Sequence, residues 1–265
     1  MKKTQLALAI GLMVSGSVYA TGFTNGGFET GDLSGWTEGG GSWSGSPAAP
    51  VPPSSYVGGI PNNTIMTGGV DPITGANTVY SGSDSVRVND SHNNNSVSTL
   101  SQTVANYTDN AIYFAWNAVL DASHGLTDSD YFSLTLHDNT TSTDVVARSY
   151  SSAGNLGGNT TGVTWTSFPD PGFHQPWLST GWVVENIDLT TAGAGGTSIV
   201  GDSLTLSLLA SDCPYGGHAG YVYLDGFGAV APPPGPVPEP EIMAMLAFGA
   251  LGLATIRRRR TFIEA

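Results

Sequence analysis

Basic side chains are nearly absent from the body of this chain. Lys2, Lys3 and Arg257 to Arg260 account for six of the eight lysines and arginines, so between Thr21 and Val230 only Arg87 and Arg148 stand against 18 aspartates and glutamates. Nucleic acid is excluded as a partner on that ground, because phosphates demand a basic surface. Divalent cations and neutral glycans remain open, beside the plain reading that acidity keeps the protein soluble. Cysteine is limited to Cys213, which excludes an intramolecular disulfide. That thiol is buried and inert, bridges to another chain, or is reactive.

Catalytic signatures are missing too. No Gly-x-Ser-x-Gly elbow, His-Glu-x-x-His helix or phosphate loop occurs. Asp128 and Asp130 form an available carboxylate pair, but two positions on one strand do not define the separations that glycoside hydrolysis uses. His92, His124, His137, His174 and His218 lack ligand spacing, and Cys213 with His218 has neither an orienting group nor an oxyanion site in view. The segment Asp212 to Gly220 therefore reads as a structural turn, with His218 hydrogen-bonded inside the fold. An enzyme is not expected.

What is present points to β-structure. Gly, Ser, Thr and Asn dominate, and helix formers such as Lys, Glu and Gln are scarce in the body. Alternating or β-branched segments occur at Ser85 to Asn89, Val97 to Val104, Ile112 to Leu120, Tyr131 to His137, Asp144 to Ser149, Trp182 to Leu189, Leu204 to Leu209 and Tyr221 to Phe227. Eight strands separated by turn clusters such as Asp90 to Asn95 predict a single jelly-roll β-sandwich over residues 21–230. Gly39 to Pro53, continued by Ser54 to Ala76, reads as a long irregular insertion, and Phe168 to Trp177 as an ordered aromatic loop. The Pro-rich run 231–236 reads as an extended spacer.

Long apolar runs are confined to the two ends. Lys2 and Lys3, the apolar stretch Leu6 to Val14 and Val18-Tyr19-Ala20 read as a secretory signal peptide over residues 1–20, to be removed by signal peptidase, with an uncleaved anchor as the alternative. At the other end Ile242 to Ile256 spans roughly 22 Å as a helix, short of the ~30 Å hydrocarbon core. Four arginines follow and hold the C-terminus in the cytoplasm, leaving the body outside. A buried amphipathic helix fits poorly, since no polar face exists.

Val237-Pro238-Glu239-Pro240, the apolar helix 242–256 and the cluster Arg257, Arg258, Arg259 and Arg260 resemble the C-terminal sorting signal of PEP-CTERM proteins. The resemblance covers residues 237–260. It implies a Gram-negative, exported protein with an inner-membrane intermediate, read by exosortase, whose substrates are implicated in exopolysaccharide and biofilm matrix at the cell surface. It transfers a sorting route and no biochemical activity.

A second resemblance lies in the body. Asn25 to Trp36, with Asn25-Gly26-Gly27-Phe28-Glu29, is similar to the first strand and turn of galactose-binding-like jelly rolls among carbohydrate-binding modules, and Gly220 to Phe227 resembles their last strand. The resemblance implies a structural Ca²⁺ held by Glu29 and Asp225, with Asp84 and the carbonyl of Gly27 as further donors, a chemistry that suits hard oxygen ligands. The alternative is a turn cap at Glu29 and an edge hydrogen bond at Asp225. Trp43, Tyr56, Trp165, Phe173 and Trp177 lie in irregular segments and are the candidates for sugar stacking, with about half of them expected to pack inward. The resulting expectation is a non-enzymatic surface or matrix protein associating with exopolysaccharide. A carbohydrate-binding module for a defined sugar is the alternative, and a polysaccharide-degrading enzyme the third.

Overall fold

The alternation in Tyr131 to His137 becomes two faces of one strand. In β6 (Tyr131–Asp138) Phe132, Leu134 and Leu136 are buried, while Tyr131, Ser133, Thr135 and His137 look the other way, as a period of two requires. The computed structural model describes residues 22–43, 53–122, 129–152, 163–170, 175–228 and 230–233. Among these residues the remaining strands are β1 (Thr37–Ser42), β2 (Thr64–Met66), β3 (Ser85–Val88), β4 (Ser96–Val104), β5 (Ala111–Asp121), β7 (Thr143–Ser151), β8 (Thr166–Phe168), β9 (Trp177–Ser179), β10 (Val183–Asp188), β11 (Leu204–Ser211) and β12 (Gly220–Gly228). They build an all-β jelly-roll sandwich. One sheet runs β1-β4-β11-β6-β7; the other runs β2-β3-β12-β5-β9-β8, with β10 also on β5. Every pairing is antiparallel.

Between the sheets lies the main core. Trp116, Phe132 and Tyr150 pack at one part of it; Phe23, Phe28, Trp36, Phe114 and Phe227 cluster at another, with the rings of Phe114 and Phe227 stacked at 4.8 Å. Burying each such ring contributes about 1.5–3 kcal/mol, so this layer supplies most of the stabilisation. Two smaller clusters cover outer faces. Val119, Trp177, Tyr221 and Tyr223 form one on the larger sheet, and Trp43, Tyr56, Val97 and Leu209 the other on the five-stranded sheet. Across the cavity of about 600 Å³ that opens between β7 and β10, Arg148 pairs with Glu185. The Glu185 carboxylate also accepts Trp116 Nε1–H at 3.2 Å.

All eight expected strands are present, but the irregular regions hold more structure than the sequence predicts. Residues 37–42 form an edge strand in register with β4, from Thr37 opposite Ser101 to Ser42 opposite Ser96. Its glycines erase the alternation that would announce a strand. They are needed because a Cβ on Gly39 would meet the Tyr56 carbonyl oxygen at 2.4 Å, and one on Gly40 the Ile60 oxygen at 2.2 Å. β2 lies within the expected insertion, and β8 and β9 overlap the ends of the expected aromatic loop. Conversely, Asn25 to Trp36 is a chain of turns instead of a first strand. Asn25 and Phe28 take positive φ angles of 51° and 60°, and turn bonds run from Phe28 N–H to Asn25 and from Trp36 N–H to Leu33.

The chain divides into compact units at Pro233 and Pro234. Among the described residues no helix is long and apolar enough to cross a membrane. The expected signal peptide (1–20), the sorting segment (237–260) and Phe173 lie outside the described residues.

Candidate functional site

Two places in the sandwich gather polar chemistry that the packing does not require. The first is built on the turn Tyr80 to Asp84. The amides of Tyr80 and Ser81 donate to Asp225 Oδ2 at 2.9 and 2.8 Å, while those of Ser83 and Asp84 donate to the Glu29 carboxylate at 3.0–3.2 Å. Between them Gly82 sits at φ 74°, and a Cβ there would strike Glu29 Oε1 at 2.1 Å. One turn thus clasps a carboxylate from the first segment and one from the last strand. The Phe227 amide bonds to the Gly26 carbonyl at 2.9 Å and holds those segments side by side.

Asp225 is almost completely buried, and its Oδ1 has no hydrogen-bond partner. Burial pushes its carboxyl up to about 8 against the pull of the Ser81 and Tyr80 amides, and the charge of Glu29 adds to the rise. One turn therefore brings Glu29 and Asp225 together. The backbone of Asp84 joins them, and Gly27 is buried beside Phe28. Among the described residues no group of three or more Asp, Glu, His or Cys side chains could hold a metal ion. Any cation here would take its remaining donors from backbone and hydroxyl oxygens.

The second place is a trough of about 630 Å³ on the outer face of the five-stranded sheet. Its floor comes from the outward positions of β6 and β11: Ser133, Thr135, Thr205 and Ser207, all hydroxyl-bearing. Tyr131 stands towards one end, near Ser54 of the 53–56 turn. At the other, His137 Nδ1 and Asp144 Oδ1 lie 2.7 Å apart. The floor itself is densely supplied with uncharged donors and acceptors, Arg148 and Asp144 are the charged groups of the lining, and Tyr131, packed in part against the Trp43 cluster, lies at its margin.

Of the expected stacking residues, the four that are described do not line the trough. Trp43, Tyr56 and Trp177 are each less than a tenth exposed. Trp43 Nε1–H donates to the Asp212 carbonyl at 2.8 Å and Trp177 Nε1–H to Asp170 at 3.2 Å. Their rings fill the outer-face clusters and leave no face for a sugar, which corrects the sequence expectation for these three. Trp165 is half-buried against the main core. The burial has a simple cause: large aromatics beside a bare sheet face cover it.

Asp212 is a centre that the sequence does not flag. It accepts from Ser96 N–H and Oγ–H at 2.9 Å each, from Asn94 N–H at 3.0 Å and from Asn89 Nδ2 at 3.0 Å. Burial nevertheless raises its carboxyl to about 6. The following turn closes with Cys213 N–H on the His218 carbonyl at 3.1 Å and Cys213 Sγ on the Gly216 oxygen at 3.1 Å. The thiol is buried inside this turn.

Residues 236–260 match the PEP-CTERM protein-sorting motif, which marks the chain as exported and processed at the membrane. No curated protein matches the chain. Among solved structures, the carbohydrate-binding module TmCBM61, in complex with β-1,4-galactotriose, is 12% identical with a TM-score of 0.38, over 79% of this chain and 97% of that one. The K2 cleaved adhesin domain of Lys-gingipain gives 17% identity and a TM-score of 0.38 over 80% and 97%. CBM28, a non-crystalline cellulose specific carbohydrate-binding module, gives 13% and 0.37 over 79% and 95%. At this level of similarity the description of the sandwich rests on the chain's own strand pairing.

Proposed function

We propose that this exported chain is a non-catalytic surface or matrix protein that associates with neutral polysaccharide through the trough on its five-stranded sheet. The observation that carries the reading is the composition of that floor. Serine and threonine hydroxyls from adjacent strands repeat at strand spacing, flanked by Tyr131 and by the His137–Asp144 pair. Sugar hydroxyls exchange hydrogen bonds with such a surface, and the apolar face of a pyranose can lie on a tyrosine ring. The body's strong negative charge suits a neutral glycan and disfavours an anionic one. After export, exosortase would remove the tail near Pro238 to Glu241.

Ca²⁺ fits the Glu29–Asp225 clasp. A buried carboxyl oxygen without a partner is an unmet polar group, and an oxygen-seeking dication would meet it and restore the charged carboxylate. Glu29 and Asp225 would hold the ion, with backbone oxygens such as the carbonyls of Gly27 and Asp84 as further donors. The ion would supply positive charge between the chain's first and last segments and no chemistry.

Affinity electrophoresis through gels containing neutral exopolysaccharide tests the trough. Tyr131→Ala is expected to weaken retention roughly tenfold, the equivalent of about 1.4 kcal/mol, with the near-ultraviolet circular dichroism of a folded sandwich retained and the melting temperature lowered modestly, because the ring also packs against the Trp43 cluster. Unretarded wild-type protein across a glycan panel would leave an exported sandwich without this ligand class. Intact mass of the mature protein, with and without the host's sorting protease, reads the tail independently. A chain still carrying Arg257 to Arg260 would mean a plain anchor.

A further inference from the structure

Four strand ends converge at one end of the sandwich: the last residue of β5, Asp121; the residue leading into β6, Asp130; the last of β11, Ser211; and the first of β12, Gly220. Asp130 is fully buried, and neither of its carboxylate oxygens receives a well-formed hydrogen bond, although the Ser152 hydroxyl and the Asp121 amide lie close enough to act on it. Burial above all drives its carboxyl far above the ordinary range. The Ser152 hydroxyl pulls the other way, and the charge of Asp121 adds to the rise. On the neighbouring strand end Ser211 Oγ is likewise buried with no partner. The backbone of β12 is pressed into the same place, since a Cβ on Gly220 would lie 2.9 Å from both Asp130 Cβ and the Ser211 carbonyl oxygen. Only glycine leaves room there.

We propose that Asp130 and Asp121, with the oxygens of Ser211, form a divalent-cation site of the calcium class that ties the ends of the two sheets together. A proton on Asp130 would cancel its charge but leave a hydroxyl donor and a carbonyl acceptor without well-formed partners. A hard dication engages both carboxylate oxygens at once and accepts further neutral oxygens around them. The donor set is all oxygen, which favours Ca²⁺ over metals that seek imidazole or thiolate. This site is separate from the Glu29–Asp225 clasp and does not rest on the polysaccharide reading.

Calorimetric titration of the full-length chain in detergent with CaCl₂, paired with melts in Ca²⁺ and in EDTA, tests it. Asp130→Asn is expected to remove one Ca²⁺ equivalent that the double variant Glu29→Gln with Asp225→Asn leaves in place. In EDTA it is expected to melt no lower than wild type, because the unpaired charge has gone. If Asp130→Asn loses its near-ultraviolet circular dichroism, Asp121→Asn carries the same comparison. Retention of the full wild-type stoichiometry in the folded variant would overturn the proposal. So would a wild-type chain that binds no Ca²⁺, or one whose binding vanishes entirely in the Glu29/Asp225 double variant.

Discussion

Asp138 shows how one side chain holds a turn. It lies at the end of β6 and accepts the amides of Thr140 and Thr141 at 2.8 and 3.3 Å and the Thr141 hydroxyl at 2.6 Å. Burial pushes its carboxyl up, but the Thr141 hydroxyl and these amides outweigh that and hold it below its ordinary value. A depressed folded pKa means a contribution that is complete above the unfolded value near 4 and is lost as pH falls through the folded one. Asp138→Asn is therefore expected to lower stability by about 1 kcal/mol at neutral pH and to flatten the acid limb of the melting curve below about pH 4. Urea titrations at pH 2.5, 4 and 7 measure both effects; an acid limb as steep as wild type would assign it to other carboxylates. Gly40 makes the complementary point, since it matters for what it lacks. Gly40→Ala drives a methyl into the Ile60 carbonyl, and a loss of roughly 1–3 kcal/mol is expected in the same titration.

At the scale of elements, the alternation of side chains makes most of the sandwich legible in the sequence. Tyr131 to His137 and Leu204 to Leu209 repeat with period two, and both are strands at those positions. Thr37 to Ser42 is opaque because three successive glycines carry no pattern, and its role as an edge emerges only from the carbonyls that crowd it. The Glu29–Asp225 pairing is legible through resemblance alone, because 196 positions separate the two and no local spacing connects them. The aromatics Trp43, Tyr56 and Trp177 mislead, since the outer sheet faces that they cover are invisible in a one-dimensional reading. The trough leaves a faint signal in the sequence: four outward positions of β6 and β11, Ser133, Thr135, Thr205 and Ser207, are hydroxyls where solvent-facing strands usually carry charge. The turn Tyr80 to Asp84 also fixes an expectation for cation removal. If Ca²⁺ sits at the clasp, EDTA lowers the melting temperature, and Glu29→Ala with Asp225→Ala removes the part of that shift due to this site. A chelator effect identical in the double variant would leave the clasp as hydrogen bonds alone.

For the whole molecule, the scarcity of cationic side chains becomes a property of its surface. The two arginines of the body are both in strands and both engaged: Arg87, on β3, lies half-buried with its guanidinium 5.8 Å from the Tyr221 ring centre, and Arg148, on β7, is committed to Glu185. Trypsin-like proteases cut extended, mobile chain after lysine or arginine. Between Thr21 and Val230 this sandwich presents neither residue outside a paired strand. Digestion under native conditions is expected to leave the body intact for hours, while the same protease in urea releases three fragments by cutting after Arg87 and Arg148. Rapid native cleavage at Arg148 would show that the edge pair with Glu185 opens readily. Outside the cell, where secreted proteases act and nothing replaces a nicked chain, the scarcity of lysine and arginine makes this body a poor meal.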